Sequence, residues 1–325
     1  MSAVLDRLRP HPHRGDVIAA GAVPLALAAI VIELRMTQWA LGARLTVVAV
    51  IAVLLLTMGW LAPLEGESPR RYHSLLLVSG LLPLIVALQL LAEVLGAARP
   101  PGDGALAWTF VVEAMIAAAA ARRANSAICT LISALAAVIS VQAFVAWAFA
   151  PRGPGTFRAV LLVLTLALAA GAVSWRERRP RHAVQLANAG GIVTLALAAT
   201  LLFPTVAFGA LGRFGTGPVS AGADASFGWE LWLLAVGFGL VAYSCVDRRP
   251  GAGYLGVAVL LAFAVLAGEH TGARGSLIGW PLFLLVLGGV GLAIGLRPRK
   301  ELPPPPGSPI PAPTIPLHKI EGEGS

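Results

Sequence analysis

Residues 75 to 95 read LLLVSGLLPLIVALQLLAEVL, a run of 21 positions whose one charge is Glu93, preceded by Arg70 and Arg71. At 1.5 Å of rise per residue a helix of that length spans about 31 Å, close to the roughly 30 Å of a bilayer's hydrocarbon layer. A strand is a poor alternative, because its two faces would have to alternate between apolar and polar and this run does not alternate. A lipid-embedded backbone must satisfy its own donors and acceptors, and a helix does so within one segment. The run predicts a transmembrane helix.

Working outward, nine more runs of the same kind appear: Val17 to Leu34, Leu45 to Leu61, Ala105 to Ala121, Ala127 to Ala150, Ala159 to Trp175, Ala183 to Phe203, Phe227 to Val246, Ala252 to Gly268 and Leu277 to Leu296. The predicted fold class is therefore all-α, a polytopic bundle of about ten spans. Residues 1–16 form a segment before the first span, 17–296 the helical domain, and 297–325 a tail. Val17 to Leu34 has no small-residue cleavage site before the next polar loop, so a retained span is expected there, not a signal peptide. With 57% hydrophobic residues, 12% charged ones and a mean hydropathy of +0.80, the chain lies outside the soluble range of about 45 to 50% apolar and about 25% charged.

The basic residues orient the bundle. Counted by alternate loops from a cytoplasmic N-terminus, 17 of the 24 Lys and Arg fall on the inner side, among them Arg70, Arg71, Arg122, Arg123, Arg176, Arg178, Arg179, Arg181, Arg248 and Arg249. Seven fall outside, including Arg44, Arg99 and Arg158. Positive charge resists translocation, so both termini are predicted to be cytoplasmic. The net charge of +8 serves orientation, and nucleic acid is not an expected partner. All eight tryptophans lie near span ends, Trp60 and Trp175 inside and the other six outside, where interfacial anchoring explains them. Scarce Lys and Asn beside abundant Ala, Gly, Pro and Arg suggest a GC-rich bacterial genome, which makes the cell membrane the expected location.

Outside the bilayer, residues 204–226 form a Gly-, Ala- and Ser-rich outer loop. The tail carries Pro303 to Pro306, Pro309, Pro311, Pro313 and Pro316, a pattern of extended, disordered chain. Cys129 and Cys245 fall near inner helix ends and read as packing residues. The six histidines, His182 among them, are assigned to loops or tails, and no Cys, His, Asp and Glu cluster completes a metal site, so no metal or other cofactor is expected.

Polarity at depth supplies the candidate site. Glu113 stands midway along its span, about 12 Å below the outer end, where an ionised carboxylate costs at least a few kcal/mol. Gln89 and Gln142 lie at matching depth on the preceding and following spans, and Glu93 shares a helical face with Gln89 one turn nearer the outside. The four could line one outward-opening polar pocket, or Glu113 could be a hydrogen-bonded strut between helices. Ser126, Thr130, Ser133, Ala137 and Ser140 repeat at four- and three-residue intervals, as do Asn188, Gly191, Thr194 and Ala198; such stripes favour close helix packing.

Ten spans with both termini inside resemble the topology of the drug/metabolite transporter superfamily, whose two five-helix halves are inverted repeats. The resemblance implies a small-solute transporter, with Glu113 coupling proton or cation binding to solute movement. The outer acids Glu33, Glu93, Asp103, Asp224, Glu230 and Glu269 would suit a cationic or zwitterionic solute. No residue-level match links the first five spans to the last five. The alternative is a non-enzymatic scaffold or accessory subunit, with a membrane-protein partner or a second copy as its companion. An embedded enzyme for lipid-linked substrates would need clustered acids or a nucleophile at one interface, and the first outer loop, Arg35 to Arg44, contains no acid.

Overall fold

The computed structural model describes residues 15–63, 71–151, 153–202, 227–247, 250–270 and residue 286. The chain divides into two units, 1–272 and 273–325. Of the second, only Val286 is described, helical and exposed. The segment before the first span, the 204–226 loop, the tenth span at 277–296 and the Pro-rich tail lie outside the described residues.

Among the described residues the first unit is helical, without strands, and nine helices are long and apolar enough to cross a membrane. They are α1 (Gly15–Arg35), α2 (Leu41–Leu61), α3 (Arg71–Val94), α4 (Asp103–Ala124), α5 (Ala127–Phe149), α6 (Pro154–Trp175), α7 (Pro180–Leu202), α8 (Phe227–Asp247) and α9 (Pro250–His270). Proline opens α6, α7 and α9, the position where its missing N–H costs nothing. Pro24 and Pro83 lie within continuous helices. Many large apolar side chains face outward, including Val17, Leu27, Met115, Phe149, Val163 and Leu261. Apolar surface on that scale is stable against lipid and not against water.

The buried stripes decide which helices touch. On α1, Gly15, Ala19, Ala22, Ala26 and Ala29 follow the four-three spacing of one helical face. That face packs with Leu55 of α2 and with Tyr72 and Leu76 of α3, and further along with Val48, Ala87 and Leu90. The opposite side of α3 presents Leu77 and Leu81 to Ala117, Ala120 and Ala121 of α4 and Cys129 of α5.

Helix α3 packs on α1, α2, α4 and α5, and α7 packs on α5, α6, α8 and α9; α5, between them, packs on α3, α4, α6 and α7. Shifting every label by four turns the first set into the second, an even shift that leaves helix direction unchanged. Buried residues repeat with it, since Arg44 and Arg158 sit in the first turns of α2 and α6, and His73 and His182 in the first turns of α3 and α7. Five-helix inverted halves would make α8 the counterpart of α3; among the described residues α8 packs on α7 and α9.

Candidate functional site

Glu113 lies on the buried face of α4 with Thr109, Ala117 and Ala120. Ala117, one turn on, belongs to an apolar cluster with Leu77 and Leu81 of α3 and Cys129 of α5, so Glu113 lies on the face of α4 that is turned toward those two helices. Its side chain is 0% exposed, and neither carboxylate oxygen has a hydrogen-bond partner. Thr109 directs its hydroxyl to the carbonyls of Ala105 and Leu106 in its own helix.

The other three candidates are placed elsewhere. Gln142 donates from Nε2 to the Phe157 carbonyl of α6 at 3.1 Å. Ser140, two residues earlier and thus about 200° around the helix, donates to the Ala107 carbonyl of α4 at 2.8 Å. Gln142 therefore faces α6, away from Glu113. Gln89 is half-buried and lies in line with the exposed Leu75 and Leu82 at seven-residue spacing, about a quarter-turn from the Leu77 and Leu81 face that meets α4.

Glu93 belongs to a chain of four charges at the end of the bundle away from the paired arginines. Arg44 Nη1 donates to both oxygens of Glu33 at 3.0 and 3.1 Å, Arg99 Nη2 reaches Glu33 at 2.7 Å, and Arg99 Nε lies 3.7 Å from Glu93. Two of the acids expected on the outer side are thus paired within the protein. Glu230 is buried on α8; Asp224 and the side chain of Glu269 are outside the described residues.

A second polar group forms at the arginine-rich end. Asn125 ends α4 in the left-handed conformation, φ 50°, which asparagine tolerates better than most residues. Its Oδ1 lies 2.9 Å from His182 Nε2, and His182 Nδ1 lies 2.5 Å from the Thr130 hydroxyl. Ser126 meets Ser74 of α3 at 3.1 Å, and Ser133 donates to the Ala114 carbonyl. The α5 stripe that read as packing is thus a series of hydrogen bonds to three different helices.

The expectation that every histidine lies in a loop or tail is corrected here. His73 and His182 lie inside α3 and α7 and are almost fully buried. The hydropathy boundaries at Leu75 and Ala183 fell four and three residues inside the true helix starts, because a helix can carry polar residues in its first turn where water still reaches its end. Arg71, two residues before His73, and Arg181, directly before His182, were the available signal: charged residues just ahead of each histidine extend a helix to the interface.

No family model, no curated protein and no solved structure matches this chain. Function has to be argued from these side chains.

Two cavities flank the α4–α5 hairpin. One, about 830 Å³, lies toward the Glu93 end between Trp108, Val111, Val112, Phe144 and Trp147. The other, about 300 Å³, lies toward the arginine-rich end and includes Arg122, Thr130, Trp175, Arg179 and His182 in its walls. Glu113 is not among the residues that line either one.

Proposed function

We propose that this multi-pass membrane protein is a carrier for a small solute, with Glu113 taking up and releasing a proton or cation as the solute moves. The observation that supports this is the carboxyl group of Glu113, fully buried in mid-span with both oxygens unpartnered. A carboxyl serving as a strut between helices would hold a donor or acceptor on its neighbour, as nearly all buried polar groups do. An unmet buried polar group costs about 1 to 3 kcal/mol, and a leucine at that position would avoid the cost. A group whose unpaired state is one step of a binding cycle has a reason to carry that cost. In this reading the pairing of Glu33 and Glu93 with arginines makes them structural, and Glu113 is the titrating acid. The proposal includes ten spans in a bacterial cell membrane, with 277–296 as the tenth and both termini cytoplasmic.

The test is proton-driven uptake of amino acids and small amines by liposomes containing the purified protein, with an internal pH dye as readout. Glu113→Gln should fold and melt like the parent and lose solute-dependent proton movement. Glu113→Leu should melt at the same temperature or higher, since no partner is stranded. A scaffold would show no uptake with any variant, and a strut would show clear destabilisation with leucine; either outcome defeats the proposal.

A further inference from the structure

The triangle α1–α2–α3 and its counterpart α5–α6–α7 are closed differently. At the arginine-rich end of the first, Ala19, Ala22, Leu55, Tyr72 and Leu76 fill the space between the helices. In the second, α5 and α6 meet near their opposite end, through Ala146 with Phe157 and the Gln142 bond to the Phe157 carbonyl. From there they splay, and the place equivalent to the Tyr72 core is the cavity of about 300 Å³.

Its walls are sorted by polarity. Ala134, Ala137, Val138 and Val141 of α5, with Leu164 and Leu168 of α6, make an apolar groove. From Thr130 to Val141 the groove follows α5 for about 16 Å, roughly half the hydrocarbon thickness of a bilayer. At its mouth stand Arg122 and Arg179, both exposed and without an acid partner among the described residues. A second cavity, about 380 Å³, continues from Arg179 and His182 to Arg178, Arg181 and Asn125. Glu177 is the one acid in that connection. The first turn of α7 adds the positive end of a helix dipole. Both nitrogens of His182 are engaged by Asn125 and Thr130, so the floor of the mouth is set before anything binds.

We propose that the α5–α6 groove holds one anionic phospholipid from the leaflet at the arginine-rich end, its phosphate between Arg122 and Arg179 and one acyl chain along Ala137 and Val141. A soluble anion would use the arginines and leave the apolar length empty; a zwitterionic lipid would fill the length and leave the cations unbalanced. Basic pockets between helices at this depth suit an anionic headgroup, with each arginine contributing to the attraction. The proposal is independent of Glu113, which is not among the residues lining the groove.

Native mass spectrometry of the full chain, titrated with phosphatidylglycerol, phosphatidylcholine or inorganic phosphate, tests this. Phosphatidylglycerol should be retained at a stoichiometry of one. The double variant Arg122→Gln, Arg179→Gln should bind it about thirtyfold more weakly. Ala137→Phe, which blocks the groove and leaves the charges in place, should also weaken it, and phosphate should not displace it. Equal retention of phosphatidylcholine, displacement by phosphate, or unchanged binding in both variants would overturn the proposal. So would a tenfold gain in affinity on truncation after Lys300, because the chain's own tail would then be the occupant.

Discussion

The α3 half and the α7 half bury the same residue types near the starts of corresponding helices, and they hold the two histidines by different means. Arg44 and Arg158 both sit in the first turn of a peripheral helix, almost fully buried. Arg44 is met by the Glu33 carboxylate, and Arg158 donates from Nη2 to the Thr200 carbonyl at 2.8 Å, near the negative end of the α7 dipole. His73 lies against the Gly59 backbone and an apolar core, whereas His182 is held by two side chains at a cavity wall. Equivalent positions in a repeated packing pattern thus constrain where a polar group sits without dictating its partner. The half that is filled reads as structural; the half that is open carries the groove.

The largest effect is all-or-none and tests the repeat itself. Because α3 and α7 are four helices apart, their first residues must lie on one side of the membrane. Reporter fusions after Arg71 and Arg179 should both report cytoplasm, together with fusions after Arg123 and Arg249. Opposite compartments for Arg71 and Arg179 would break the comparison, and a periplasmic result at any two of the four would overturn the orientation.

Next in size is the charge chain of the α3 half. Glu33→Ala removes both hydrogen bonds to a nearly buried guanidinium, and stranding a buried charge costs about 3 kcal/mol. Arg99 is about half exposed, so Arg99→Ala should cost less than about 1 kcal/mol despite its 2.7 Å contact with the same carboxylate. Thermal melting in one detergent checks both. Equal losses would mean that the four charges act as a single unit and that exposure is not the controlling variable.

Much of this was legible in the sequence, with one kind of information absent. Hydropathy located nine of the helices within a few residues, since the length needed to cross lipid is set by the bilayer and not by the neighbours. Depth was legible as well, because it follows from a fixed rise per residue, and Glu113 emerged as a mid-span carboxyl on that ground. Azimuth was not. Gln89 and Gln142 share a depth with Glu113 yet face other directions, and that depends on which helices pack against α3 and α5. Glu33 meets Arg99 across 66 positions of chain, a distance over which periodicity says nothing.

The smallest effect compares the α2–α3 and α6–α7 hairpins through one glycine each. A Cβ on Gly80 would stand 2.8 Å from the Leu56 backbone nitrogen and from its Cγ. A backbone atom inside a packed helix has little freedom to retreat, so Gly80→Ala should push α2 away from α3 and cost about 1 to 3 kcal/mol. On α7, a Cβ on Gly190 would find its nearest neighbour, Leu168 Cβ, at 3.8 Å, an ordinary van der Waals contact. Alanine there adds a contact and restricts the unfolded chain, and Gly190→Ala should raise stability by up to about 1 kcal/mol. Opposite signs in paired melting curves would support a first triangle held by contact and a second held partly open. Two losses of similar size would mean that α6 lies as close to α7 as α2 does to α3, and the splay of α5 and α6 would then have to come from α5 alone.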